Sequence, residues 1–166
     1  MKTRISVLMA PLCTAMASWL IASSPAQARY IVTLQEVGPS VVATGSGAID
    51  LTGLFLVGSG SYRAEMDPLL TFLVTGPASF VFADGYFGNI SGPGAFGTGL
   101  PSVANDGSGD VVGFQRPFLV VPHGYISGNP LSDSSTYANQ TFSSLGVEPG
   151  FHKWSWGTGP DRASHF

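Results

Sequence analysis

Residues 30–49, YIVTLQEVGPSVVATGSGAI, contain two strand-forming runs with a Gly-Pro-Ser turn between them. The first run, Tyr30–Val37, is rich in β-branched residues, which favour extended backbone. The second run, Val41–Ile49, is its expected partner, and its glycines Gly45 and Gly47 indicate a bulge or a close approach of another segment. The stretch therefore predicts a β-hairpin at the start of an all-β domain.

Short apolar runs of the same kind follow along the chain, each bounded by glycine or proline. Further strands are predicted in these segments: Leu54–Val57, Leu69–Val74, Ser79–Ala83, Tyr86–Phe87, Val111–Val121 and Phe151–Trp156. The dipeptide Asp84-Gly85 is a common hairpin signal, so it predicts the turn between two of these strands. Pro117 is expected to place its strand at an edge or a bulge, because proline cannot donate to a ladder.

Two segments are predicted to lie outside the strands. Residues 88–110 hold so many glycines and prolines that they predict a long surface loop. Thr141–Leu145, followed by Gly146, predicts one helical turn with a glycine cap. Since no segment beyond residue 28 sustains a period of 3.6, we predict an all-β antiparallel β-sandwich, jelly-roll or immunoglobulin-like, with a β-barrel as the alternative.

The first 28 residues have the pattern of a secretory signal peptide. Lys2 and Arg4 precede an apolar stretch over residues 5–21, and Ala26-Gln27-Ala28 supplies small residues at the cleavage site. Cleavage is expected after Ala28, and the alternative is an uncleaved membrane anchor. Residues 29–166 would then form a single β-rich exported domain.

Composition restricts the partners of that domain. The one cysteine, Cys13, lies in the predicted signal peptide, so the exported domain is expected to contain no disulfide. Beyond residue 28, five Lys and Arg residues face ten Asp and Glu residues, a net charge of −5. Without a basic cluster, nucleic acid and anionic membrane surfaces are unfavourable partners.

Catalytic and cofactor motifs were sought by their spacing. Residues 92–97 match G-x-G-x-x-G, but Pro93 and the glycines around it predict an irregular loop instead of a strand–helix junction. The chain has no G-x-S-x-G, and its histidines, His123, His152 and His165, stand apart. We therefore predict no catalytic residue, no cofactor and no enzyme activity.

Two acidic patterns were weighed as sites. Asp106, Ser108 and Asp110 space three oxygen donors as the first half of a calcium loop does, but Val111 replaces the required glycine and the later glutamate is missing. A turn is the preferred interpretation, with a weak calcium site as the alternative. Glu65-x-Asp67 could supply paired carboxylates, although the following proline indicates a turn.

Aromatic residues near the C-terminus suggest a possible ligand platform. Trp154, Trp156 and Tyr125, with Tyr137, could stack on the faces of sugar rings. Packing of the two tryptophans in the core or at its rim is the preferred interpretation.

Residues 120–159 read VVPHGYISGNPLSDSSTYANQTFSSLGVEPGFHKWSWGTG. The runs VPxGYxSGxPLS, TFxSLGVxPG and WxWGTG resemble the exported domain of bacterial PEP-CTERM proteins, and Val32–Leu51 resembles the first hairpin of that group. The resemblance covers most of residues 30–159. It implies a cargo protein of the exosortase system in exopolysaccharide-forming Gram-negative bacteria, without a family catalytic site.

The resemblance also sets the expected location and partners. Members of that group continue past W-x-W-G into a last strand, a Pro-Glu-Pro motif, a membrane helix and a basic tail, so this domain is expected to be one strand short. We expect a non-enzymatic protein, secreted, periplasmic or in the cell envelope, associated with extracellular polysaccharide. The alternative is a carbohydrate-binding module or carbohydrate-active enzyme. Signal peptidase and the export machinery are the other expected partners.

Overall fold

The computed structural model of this chain describes residues 29–157 and the backbone of residues 163–165. The predicted signal peptide, with Ala26 and Ala28, lies outside the described residues. Thirteen strands and one short helix make up the described part. Their bounds are β1 (Arg29–Val37), β2 (Ser40–Ala48), β3 (Phe55–Tyr62), β4 (Glu65–Asp67), β5 (Phe72–Thr75), β6 (Val81–Phe87), β7 (Ser102–Val103), β8 (Asp106–Gly109), β9 (Val112–Gln115), β10 (Phe118–Pro122), β11 (Pro130–Ala138), α1 (Phe142–Leu145), β12 (Lys153–Ser155) and β13 (Ala163–His165).

The strands form two sheets. The six-stranded sheet has the order β12-β13-β1-β2-β11-β8, and the seven-stranded sheet has the order β3-β6-β10-β9-β5-β4-β7. Neighbouring strands are antiparallel, except that β1 and β13 run parallel. Neither sheet closes into a barrel. The predicted β-sandwich is therefore confirmed, and the barrel alternative is wrong.

The predicted first hairpin is confirmed. Strands β1 and β2 pair from Tyr30 opposite Gly47 to Val37 opposite Ser40, and Gly38 has a φ of 60° in the turn. Strand β11 pairs along the other side of β2, so β2 is covered on both edges. Gly45 marks the predicted close approach, because the Tyr30 hydroxyl occupies the space that a Cβ would need.

The core lies between the two sheets. Alternate residues of each strand point inward, as the pleat requires, and the aromatic rings of Tyr30 and Phe114 meet across the layers at 6.0 Å. The main inward-facing apolar residues are Tyr30, Val32, Val41, Ala43, Leu73, Phe114, Leu119 and Val121. The opposite face of the seven-stranded sheet carries a second, smaller apolar cluster, formed by Val74, Ala83, Val111 and Val120.

Two of the turn and loop predictions are wrong. Asp84-Gly85 lies within β6 and is not a turn, because the Asp84 carboxylate accepts hydrogen bonds that allow it to be buried in a strand. Residues 88–110 include β7 and β8, since pairing with β4 and β11 compensates for their high glycine content. The loop prediction therefore fails only over its second half.

The prediction for Pro117 is wrong. Pro117 lies in the turn between β9 and β10, two interior strands of the seven-stranded sheet, and its missing N–H interrupts no ladder there. Helix α1 begins after the N-cap Thr141, which accepts from the Ser144 N–H at 3.1 Å, and ends at Gly146 with a φ of 64°. The predicted glycine-capped turn is confirmed. Among the described residues, no helix has the length and apolar character that a membrane crossing requires.

Candidate functional site

The predicted aromatic platform does not form. Trp154 is 0% exposed and packs with its ring centroid 6.0 Å from that of Phe114, and Trp156 is buried with its indole N–H donating to the Asp50 carbonyl at 2.7 Å. Tyr137 is also buried. The core therefore covers the ring faces that a sugar would need. The two tryptophans pack in the core, as the preferred interpretation of the sequence has it.

Tyr125 has a role in holding a loop. Its hydroxyl accepts from the Ile49 N–H at 3.0 Å and donates to the Asn129 carbonyl at 2.7 Å. Burial raises the pKa of this hydroxyl above its usual value. The side chain thus joins the end of β2 to the segment before β11.

The turn preferred for residues 106–110 is wrong, because Asp106–Gly109 form β8, and the weak calcium alternative is not formed either. Asp106 and Ser108 lie on β8, whose pairing with β11 keeps the backbone extended, and Asp110 follows it. Residues two apart along a strand are separated by about 7 Å, so their oxygens cannot converge as those of a calcium loop do. The Asp110 carboxylate accepts from the Ser132 N–H at 2.8 Å. No group of three metal-binding side chains occurs within the described residues.

A groove of about 370 Å³ crosses the outer face of the seven-stranded sheet. Phe114 and Leu119 face the core, so their neighbours Gly113 and Val120 face outward. The register places four groove residues in one row across β3, β6, β10 and β9: Gly58, Gly85, Val120 and Gly113. Because three of these four have no side chain, the backbone itself forms most of the floor.

The row beside this floor consists mainly of aromatic residues. Across β5, β9, β10, β6 and β3 it contains Phe72, Gln115, Phe118, Phe87 and Phe55. The first three line the groove, and the rings of Phe118 and Phe87 meet edge to face at 5.5 Å. Phe118 is 42% exposed, so part of its ring is open to a ligand. Five strands at ordinary spacing make this row about 19 Å long.

The far wall of the groove is Tyr62, at the end of β3. Its hydroxyl lies 3.5 Å from where a Cβ on Gly85 would be, so the ring leans over the glycine floor. Gln115 and the Tyr62 hydroxyl add polar groups to the lining. The result is an apolar channel with a few hydrogen-bonding groups, which is the usual composition of a small-ligand site.

One end of the groove continues into a smaller acidic hollow. This hollow, of about 260 Å³, shares Phe72 and Gln115 with the groove and adds the carboxylates of Glu65 and Asp67. Asp67 Oδ1 accepts from the Leu70 N–H at 3.1 Å, while Glu65 lies 3.5 Å from Arg63. Glu65 and Asp67 are alternate residues of β4, so their side chains project from the same face, with Cα atoms about 7 Å apart.

A Ser–His–Asp cluster lies on the opposite face of the same sheet, because Ser59 and Asp84 are neighbours of the outward-facing Gly58 and Gly85. Ser59 donates to Asp84 Oδ1 at 2.6 Å, His123 Nδ1 lies 2.8 Å from the same oxygen, and the Gly124 N–H donates to Oδ2 at 2.9 Å. The hydrogen bond from Ser59, followed by those from His123 and Gly124, lowers the pKa of Asp84 to about 2. The cluster joins β3, β6 and the segment that follows β10.

This cluster does not have the order of a catalytic triad. In such a triad the serine is hydrogen-bonded to the histidine, which removes its proton. Here both Ser59 and His123 contact the carboxylate, and no hydrogen bond within residues 29–157 joins the two. The Ser59 hydroxyl therefore donates to the carboxylate and is not activated as a nucleophile by His123.

The sequence contains a weak signal of the groove. Glycine next to an aromatic residue inside a strand, as in Gly113-Phe114 and Gly85-Tyr86, places a missing side chain on one face and a core ring on the other. Because glycine is also a very common turn residue, Gly58 and Gly85 are easily assigned to turns, and the pattern is then missed.

A second hollow, of about 270 Å³, lies beside β1 and α1 and includes Phe142 and Phe151. It differs from the groove because no row of glycines forms its floor. Comparisons with protein-family models, curated proteins and solved structures give no match, so the function must be argued from the chain itself.

Proposed function

We propose that this chain is an exported, non-enzymatic β-sandwich protein of the PEP-CTERM type that binds extracellular polysaccharide at the cell envelope. The observation that carries the proposal is the groove on the outer face of the seven-stranded sheet, with its glycine floor and aromatic wall. The N-terminal signal pattern and the resemblance of residues 120–159 to that group support the compartment.

The groove fits an extended, uncharged ligand. Phe72, Phe118 and Tyr62 offer ring faces and edges, and Gln115 and the Tyr62 hydroxyl offer hydrogen bonds. Sugar rings present apolar C–H faces and a rim of hydroxyls, so they match both kinds of group. The row of aromatic residues crosses five strands, which provides contacts for several successive sugar units.

The charges around the groove favour a neutral polysaccharide over an anionic one. No Lys or Arg is among the described residues that line it, and the adjoining hollow contributes Glu65 and Asp67. An anionic polymer would be repelled by the Asp67 carboxylate, whereas Arg63 lies 3.5 Å from Glu65 and partly offsets its charge.

A floor variant tests the proposal without disturbing the fold. A Cβ on Gly85 would have no neighbour closer than 3.5 Å, so Gly85→Ala should fold normally while its methyl group reduces the depth of the groove. The probe is a series of neutral gluco-oligosaccharides of increasing length, with binding followed by calorimetry. Gly94→Ala is the matched control, because nothing lies within 4 Å of a Cβ there.

Two phenylalanine variants locate the site. Phe118→Ala should weaken binding by about tenfold or more, since it removes a stacking surface worth roughly 1–2 kcal/mol. Phe151→Ala, at an exposed phenylalanine of the second hollow, should leave binding unchanged. Equal loss in both variants would move the site away from the groove, and no binding of any glycan on an array would contradict the proposal.

A carbohydrate-active enzyme is the second candidate. The observation that favours it is the pair Glu65 and Asp67 at the acidic end of the groove. Glycoside hydrolysis uses a pair of carboxyl groups that flank the scissile bond, and these two residues line one hollow. Release of reducing sugar by the wild type, abolished in both Glu65→Gln and Asp67→Asn, would establish this candidate instead.

A further inference from the structure

Strand β3 forms one edge of the seven-stranded sheet and is open to solvent along its length. Its residues, FLVGSGSY, include no charged side chain and no proline. Phe55, Leu56 and Val57 are each more than half exposed, with Phe55 at 70%. The edge has neither the charge nor the proline that prevents strand pairing in many proteins, and its one irregularity is the bulge between Leu56 and Gly58.

The other sheet edges in the described chain are protected. Strand β7 has two residues, and β12 has three and carries Lys153. Strand β8 has four and begins with the exposed Asp106. Because short length and charge discourage pairing, β3 stands out as the edge suited to accept another strand.

We infer that two copies of this chain pair through β3, strand against antiparallel strand, about a two-fold axis. The biological role of this pairing rests on the proposed function, whereas the geometry of the pairing does not. Two chains of negative net charge repel one another, and β3 lets them approach without placing a charged side chain opposite its own copy. Like-with-like pairing is also the symmetry that most dimers adopt.

The groove gives a second reason for choosing another copy as the partner. It runs across the strands and reaches the edge at β3, where Val57 and Gly58 line it. A two-fold axis perpendicular to the sheet keeps the same face of both copies outward. The two grooves then meet end to end across the joined β3 strands, so one polysaccharide chain can lie in both.

A charge at β3 tests the pairing. Ser61 is exposed in β3, has no side-chain hydrogen bond and does not line the groove. Ser61→Lys should weaken dimerisation by about tenfold in sedimentation equilibrium, because an axis near Gly58 places each lysine opposite the apolar Phe55 of the other copy, and lysine on an edge strand opposes pairing. Ser61→Thr should dimerise as the wild type does. Ser108→Lys is the matched control, since it puts the same charge on β8, an edge of the other sheet.

The outcomes separate this inference from the proposed function. The wild type should dimerise with increasing concentration and bind long oligosaccharides more tightly than short ones. Ser61→Lys should keep its affinity for short oligosaccharides and lose the gain with length. A wild type that remains monomeric, or equal dimerisation in Ser61→Lys and Ser108→Lys, would overturn the pairing even if sugar binds. Dimerisation without any sugar binding would overturn the proposed function and leave the pairing.

Discussion

The hydroxyl of Tyr30 donates a hydrogen bond to the buried carboxylate of Asp133, across the strand that separates them. Tyr30 lies on β1 and Asp133 on β11, and β2 runs between these strands. The contact is possible because Gly45 of β2 presents no side chain below it. Thr75 of the other sheet lies 3.2 Å from the same hydroxyl, so this polar group also links the two layers.

Gly45→Ala should destabilise the fold. The added methyl group would overlap the Tyr30 hydroxyl and the Asp133 carboxylate, both held in the core. Overpacking of this kind costs about 1–3 kcal/mol. Chemical denaturation should show a lower midpoint for this variant, whereas the control Gly94→Ala should unfold with the wild type.

The buried Asp133 should make stability rise as the solution becomes mildly acidic. Burial, the largest cause, raises the pKa of Asp133 to about 6 in the folded state. A folded pKa above the unfolded value means that this contribution is full below about pH 4 and is lost as the pH rises through about 6. The free energy of unfolding should therefore fall by about 3 kcal/mol over the whole titration, which is complete only above about pH 7.

Substitution of Asp133 checks that assignment. Asp133→Asn keeps an acceptor for Tyr30 and cannot ionise, so its stability should be nearly constant over that pH range. Asp106→Asn, at an exposed aspartate of β8, should retain the wild-type dependence. A pH dependence that survives in Asp133→Asn would assign it to another group.

Asp84 should act in the opposite direction at lower pH. Its pKa is lowered to about 2, first by the hydrogen bond from Ser59. A folded pKa below the unfolded value gives stability that is present above about pH 4 and lost as the pH falls through about 2. We expect a loss of about 1–2 kcal/mol as these hydrogen bonds to the charged form disappear. Thermal unfolding of Asp84→Asn should show a smaller acid loss, and Glu148→Gln serves as the control at an exposed carboxylate.

Trp154→Ala should cost about 3–5 kcal/mol, because it removes a fully buried ring beside Phe114. Ile126→Ala is the comparison, since Ile126 is 67% exposed and should have little effect. Unfolding followed by circular dichroism measures both. If oligosaccharide binding disappeared in Trp154→Ala while stability remained unchanged, this tryptophan would belong to a ligand site instead of the core.

The sequence predicts the fold well where hydrophobic and turn signals agree. The hairpin of β1 and β2 and the capped turn of α1 follow from local patterns. The β-branched runs favour extended backbone, and Gly38 and Gly146 each adopt the positive φ that their turn or cap requires. Asp84-Gly85 shows the limit. Its turn chemistry is real, but hydrogen bonds from Ser59 and Gly124, distant in sequence, keep it in a strand.

The candidate site could not be located in the same way. Its floor depends on the register that aligns Gly58, Gly85 and Gly113 across four strands, and register is a property of pairing between distant segments. The sequence does not show which aromatic rings are exposed, for a related reason. Trp154 and Phe118 are both large rings flanked by turns, and only the packing of the second sheet decides which one is covered.

The parallel pairing of β1 with β13 makes the folding of this domain depend on the order in which the chain emerges during synthesis. Strand β1 meets its hairpin partner almost at once, but its other edge stays open until residues 163–165 arrive. The earliest strand therefore waits for the latest one. A chaperone that protects an exposed strand would act most usefully in that interval, and a pause in synthesis would prolong the period of greatest aggregation risk.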